Sequence, residues 1–184
     1  MMRLFAAARL PHDVRAHVEA RVAPLREALP DWRWVRPEQW HLTLAFFGEV
    51  DEPRVAELDR RISRAAGRHS PFSLRLGGLG AFGSARRATV LWVGIEGDRG
   101  AVRALTGSVA AGGRRTGIAM EERRYRPHVT LARHRTPVDL SGTDALGRDC
   151  TGPTWSVTDF VLVESRLGPQ VEHLERARYR LGPA

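Results

Sequence analysis

Two runs of the chain, His41-Leu42-Thr43-Leu44 and His128-Val129-Thr130-Leu131, alternate polar and apolar residues in the same order. Successive side chains of a strand point to opposite sides, so this pattern describes a strand with one buried face. The leucines and valine are committed to a core, while each histidine shares the opposite face with its threonine. A fold that accommodates both runs holds two half-buried strands of like polarity, one from each half of the chain. Residue frequencies alone give roughly 0.07 occurrences of such a template per chain. Two copies therefore point to a diverged internal duplication.

The flanking segments supply the rest of the pattern. Residues 2–9 read as a strand, and Asp13 to about Ala28 as a helix with Val14, Val18, Val22 and Leu25 at helical spacing. Residues 41–48 form a strand ended by Gly48. A second helix runs from Pro53, favoured at a first helical position, through Val55, Leu58 and Ile62 to Gly67. Strands follow at 72–82 and 88–96. Asp98 caps a third helix through Val102, Leu105 and Val109, ending at Gly112-Gly113. Residues 128–133 are a strand again, and beyond the Gly/Pro/Thr-rich stretch 136–153 come strands at 155–167 and 173–181. Neighbouring strands grouped between helices favour an α+β layout with mostly antiparallel sheets. No low-complexity linker interrupts the chain, so residues 1–184 are expected to form one compact body.

Composition narrows the function classes. No segment approaches the ~20 apolar residues of a membrane-spanning helix, and Pro11, His12 and Asp13 cut short the apolar start, which argues against a secretory signal. Cys150 is alone, so neither an intramolecular disulfide nor a cysteine-based zinc site is available. A cytoplasmic location is expected. All 29 basic residues are arginine, and the net charge is +8. A protein of that sign attracts polyanions, with RNA, DNA and nucleotides the obvious ones.

Two imidazoles and two hydroxyls suit displacement at phosphorus. Histidine titrates near neutrality, so one ring can be basic while the other is acidic. One removes a proton from the attacking water, and the other protonates the departing alkoxide. The two hydroxyls can donate to non-bridging phosphate oxygens. The residues leave open which histidine plays which part. This chemistry calls for no metal or other cofactor, and the chain has no H-E-x-x-H, P-loop or G-x-S-x-G motif.

The stretches "WHLTLAFFGEV" (40–50), "AFGSARRATVLWVGI" (81–95), "RPHVTLAR" (126–133) and "LVESRLGP" (162–169) resemble the 2H phosphoesterase superfamily. Within it, the chain resembles the bacterial and archaeal RNA 2′,3′-cyclic phosphodiesterases, also called 2′-5′ RNA ligases. The resemblance implies two similar α+β lobes related by a pseudo-twofold axis, with a central catalytic cleft. It implies metal-independent hydrolysis of an RNA-terminal 2′,3′-cyclic phosphate to a 2′-phosphomonoester, with reversible 2′-5′ ligation by the same groups. It makes His41 the acid and His128 the base, and gives Thr43, Thr130 and Arg133 to the substrate phosphate. RNA ends or nucleotide 2′,3′-cyclic phosphates are then the partners, and a monomer is expected.

Strict alternation puts Arg133 on the face opposite His128, so it reaches the phosphate only through a bulge or at the strand's end. Trp34, Phe46 and Tyr125 are candidates for base stacking or for packing at the rim. His12, His17, His69, His134 and His173 have no motif around them and read as solvated or structural. Arg114, Arg115, Arg123, Arg124 and Arg126 form a basic cluster before the second motif, suited to guiding an RNA backbone. Other readings are a phosphodiesterase for small cyclic nucleotides or ADP-ribose cyclic phosphate, and a non-catalytic RNA-binding module.

Overall fold

The computed structural model describes residues 1–120, 125–143, 146–168 and 171–183. Its strands are β1 (Met2–Arg9), β2 (Arg33–Trp34), β3 (His41–Val50), β4 (Phe72–Phe82), β5 (Ala88–Gly97), β6 (His128–Val138), β7 (Trp155–Val157), β8 (Asp159–Arg166) and β9 (Glu172–Arg180). The helices are α1 (His12–Ala28), α2 (Glu52–Ala66) and α3 (Arg99–Arg115). The architecture is α+β. The strands form one sheet in the order β7-β4-β5-β6-β3-β1-β8-β9, with β2 paired to β6, and every pairing is antiparallel.

The order is nearly palindromic about the β6–β3 joint. On one side lie β5 and then β4; on the other lie β1 and then β8. The joint itself is narrow, a single register pair between Leu42 and Val129. Two lobes thus meet along the two histidine strands. Leu42 and Val129 are 1% and 0% exposed, and they face a core shared with Val14, Val18 and Val22 of α1, Leu58 and Ile62 of α2, and Leu105 and Val109 of α3.

Several boundaries differ from the sequence reading, among them that of the second motif strand, which passes 133 and runs to Val138, into the Gly/Pro/Thr-rich stretch. The first strand of the pair does not stop at Gly48 but runs to Val50; Gly48 has φ 68 and follows a register shift between Leu4 and Phe5 on the β1 side. The third helix passes through Gly112-Gly113 to Arg115. Gly113 serves close approach: a Cβ there would lie 2.7 Å from Met120 Sδ and 3.0 Å from the Phe47 ring. The left-handed turn falls later, at Gly117 with φ 78. The stretch 155–167 is broken at Thr158, because β7 pairs with β4 while β8 pairs with β1 on the far side of the joint. Consecutive strands joining opposite lobes require the sheet to curl.

Candidate functional site

With Leu42 opposite Val129, one step along each strand sets His41 against Thr130 and Thr43 against His128. The four polar residues of the doubled motif therefore gather on one face, across the joint between the lobes.

Both strands carry the same irregularity just past the threonine. On β3, Ala6 faces Ala45 while Ala7 faces Thr43, so Leu44 is an extra residue. On β6, Leu91 faces Ala132 while Trp92 faces Thr130, so Leu131 is the extra one. A bulge of one residue reverses the facing of everything beyond it. Phe46 and Arg133, each third after its threonine, are returned to the motif face. Both line the cavity that contains His41, Thr43 and Thr130. The bulge that Arg133 needed is present, and Arg133 depresses the proton affinity of His128.

The imidazoles are held by matching contacts. His41 Nδ1 lies 2.6 Å from the Gln39 carbonyl, and His128 Nδ1 lies 2.6 Å from the Arg126 carbonyl. A carbonyl oxygen only accepts, so Nδ1 carries hydrogen in both rings, and Nε2 of the neutral ring keeps its lone pair. Each ring also rests on an aromatic neighbour. Phe5 stacks on His41 at 4.8 Å, and Phe82 meets His128 edge to face at 4.7 Å.

Burial is the main force on both rings. It brings His41 down to about 4 against the opposing Gln39 contact, with His173, His128 and Arg9 adding to the depression. Burial likewise lowers His128, opposed by the Arg126 carbonyl and reinforced by Arg133 and Arg126. Both are neutral at pH 7 in the free protein, and His41 is the weaker base. The unfolded chain protonates His41 near 6.5, and the folded protein does so only at about 4. The contribution of His41 to stability is therefore complete above pH 6.5, declines as the pH falls through the 6.5-to-4 window, and levels off below it. Urea unfolding midpoints should fall between pH 6.5 and 4, and His41→Gln should make that fall shallower.

The sequence reading did not select His173, which belongs to this site. Its ring stands edge to face with His41, centroids 5.5 Å apart, and 5.1 Å from Phe5. Burial, with Arg9 nearby, lowers its proton affinity as well. No motif surrounds it, because β9 reaches the cleft through the pairing of β8 with β1. The other unassigned histidines lie outside these contacts; His69 meets Ser108 at 2.8 Å and His134 meets the Thr136 carbonyl at 2.8 Å.

The aromatic candidates divide. Trp34 and Phe46 line the cavity, with Arg26 over Trp34 at 5.5 Å and Arg3 over Phe46 at 4.9 Å. Tyr125 is a brace instead. Its hydroxyl donates to the Thr43 carbonyl at 2.8 Å, and burial pushes the phenol up to about 12. Of the basic cluster, Arg126 lies 4.3 Å over the Trp92 ring, while Arg123 and Arg124 lie outside the described residues.

Comparison with known proteins identifies the family and the fold. Residues 9–92 match the family model described as LigT like phosphoesterase, a span that includes the first histidine strand. A Thermus thermophilus protein named RNA 2′,3′-cyclic phosphodiesterase is 33% identical over 181 residues, covering 92% of this chain and 84% of its own. The chain belongs to the LigT-like phosphoesterase family. Its fold is that of E. coli LigT, whose crystal structure in apo form superposes with a TM-score of 0.81 at 27% identity, covering 98% of both chains. E. coli LigT complexed with 3′-AMP matches with a TM-score of 0.78 at 25% identity, over 98% of this chain and 97% of that one. Two further relatives, from Geobacillus stearothermophilus and Aeropyrum pernix, carry the same phosphodiesterase name at 31% and 38% identity. The matches cover 70% and 61% of this chain but span only 41% and 65% of those relatives' lengths.

Proposed function

We propose that the protein hydrolyses RNA-terminal 2′,3′-cyclic phosphates to 2′-phosphomonoesters by two-histidine acid–base catalysis. The observation that carries this reading is the pairing of two like-anchored imidazoles and two threonines around the Leu42–Val129 register pair. The name shared by the relatives and the nucleotide bound to E. coli LigT support the substrate class.

With phosphorus between the rings, one neutral imidazole takes a proton from water as the water oxygen bonds to phosphorus. The P–O3′ bond breaks, and the 3′ oxygen takes a proton from the opposite imidazolium. The product is the 2′-phosphate, and the two rings exchange their protons with solvent to restart. Thr43 and Thr130 hydroxyls donate to the non-bridging oxygens, and the Arg133 guanidinium adds charge beside them. A 5′-hydroxyl attacking in place of water, with P–O3′ breaking and the 3′ oxygen protonated as before, gives a 2′-5′ linkage.

The family resemblance gives His41 the acid role, although the free protein protonates His41 less readily than His128. The bound phosphate anion supplies the charge that raises it.

Two outcomes test the reading directly. Turnover of an RNA ending in 2′,3′-cyclic phosphate should persist at its full rate in excess EDTA, since neither proton transfer needs an ion. A strict need for added divalent cation would overturn the scheme. Thr43→Val and Thr130→Val should each lower kcat by about tenfold, the loss of one hydrogen bond to a charged group. Rates equal to the parent would remove the threonines from phosphate binding.

A further inference from the structure

The site has two chambers. The His41 and His173 rings, 5.5 Å apart, stand where two cavities adjoin, and both cavities also touch Phe5, Arg36 and Gln39. Gln39 Nε2 donates to the Val171 carbonyl at 2.7 Å, tying the start of β9 across the same boundary.

The chambers differ in charge. The larger, about 660 Å³, contains Thr43 and Thr130 and is walled by Arg3, Arg33, Arg36 and Arg133; among the described residues no carboxylate lines it. The smaller, about 460 Å³, is walled by Phe5, Trp40, Val161 and Leu174, and its Arg9 and Arg36 are offset by Glu38 and Glu172. Arg9 is further occupied by Glu175 at 3.0 Å.

An RNA end offers two unlike groups to such a surface. A nucleobase is flat and uncharged, with polar edges that need hydrogen-bond partners once buried. A phosphodiester is a compact anion and is drawn to uncompensated arginine. Resting on the phosphodiesterase reading, we propose that the smaller chamber takes the base of the terminal nucleotide while the larger takes the next phosphodiester upstream. The chain then leaves the protein over Arg33 and Arg133, which face each other where β2 pairs with β6. His173, at the boundary between chambers, lies against the terminal ribose, and Glu38 and Glu172 accept from base amino groups. Trp34 and Phe46 line the larger chamber, but each has a guanidinium over its ring.

The test compares kcat/KM for a cyclic mononucleotide and a trinucleotide ending in the same 2′,3′-cyclic phosphate. The unaltered protein should favour the trinucleotide. Leu174→Trp fills the smaller chamber and should lower both substrates by a similar factor, about tenfold or more. Arg33→Ala should lower the trinucleotide-to-mononucleotide ratio by about five- to tenfold and flatten the salt dependence of the trinucleotide alone. Should Leu174→Trp fail to fold, Glu172→Ala, at the exposed start of β9, must alter the ranking of the four cyclic mononucleotides. The inference is overturned if Leu174→Trp spares the mononucleotide, if Glu172→Ala leaves the ranking intact, or if Arg33→Ala leaves the ratio unchanged. Turnover of neither substrate by the unaltered protein would instead defeat the phosphodiesterase reading beneath it.

Discussion

His41→Ala and His128→Ala should each lower turnover of a 2′,3′-cyclic phosphate by about 10²-fold or more while the protein stays folded. Both rings sit at the joint between the lobes with Nδ1 on a carbonyl. Each deletion therefore removes a proton-transfer group without opening the main core behind Leu42 and Val129. The double variant should be little worse than either single one, because a group that works only with its partner is lost once. The two single variants should part on a substrate with a good leaving group, such as a nitrophenyl phosphodiester. Loss of the acid matters little when the departing oxygen needs no proton, whereas loss of the base matters as before. If His41 is the acid, His41→Ala keeps most activity on the activated ester and His128→Ala does not. The reverse pattern would exchange the roles.

Trp40→Ala should cost about 3–5 kcal/mol of folding stability, a large part of the ~5–15 kcal/mol typical of a protein of this kind. Trp40 is 2% exposed and is among the largest fully buried side chains. It follows the short 3-10 turn Pro37–Gln39, and its backbone N–H donates to the Pro37 carbonyl at 3.2 Å. The same turn presents the Gln39 carbonyl to His41. Trp40 thus joins the core to the anchor of the first imidazole. Trp40→Phe keeps most of the buried area and should cost much less. Urea denaturation of the two variants, with unchanged slope, checks both values. Equal, small losses would mean that the site's floor is not built on this side chain.

Alternation and helical spacing made most of the elements legible, because the apolar faces of β3, β6, α1 and α2 obey simple periods. The site's four motif residues were legible for the same reason: strand parity alone puts His41 with Thr43 and His128 with Thr130. Arg133 was legible only through the family resemblance, since parity sends it to the wrong face and nothing in Leu131-Ala132 announces the bulge. The matching bulge at Leu44 escaped in the same way. Gly112-Gly113 reads as a helix stop, but Gly113 is needed for close contact with Phe47 and Met120, which no local signal encodes. His173 depended on three successive strand pairings, β3 with β1, β1 with β8 and β8 with β9. Only a full topology brings it beside His41.

The most direct test of two imidazoles sharing one phosphorus is the pH dependence of kcat/KM on an RNA ending in 2′,3′-cyclic phosphate. One ring must be neutral and the other protonated, so the profile should be bell-shaped. Because both free-protein proton affinities are depressed, its maximum should lie below pH 6.5. A profile with a single limb, or a bell unchanged in His41→Ala and His128→Ala, would contradict the account.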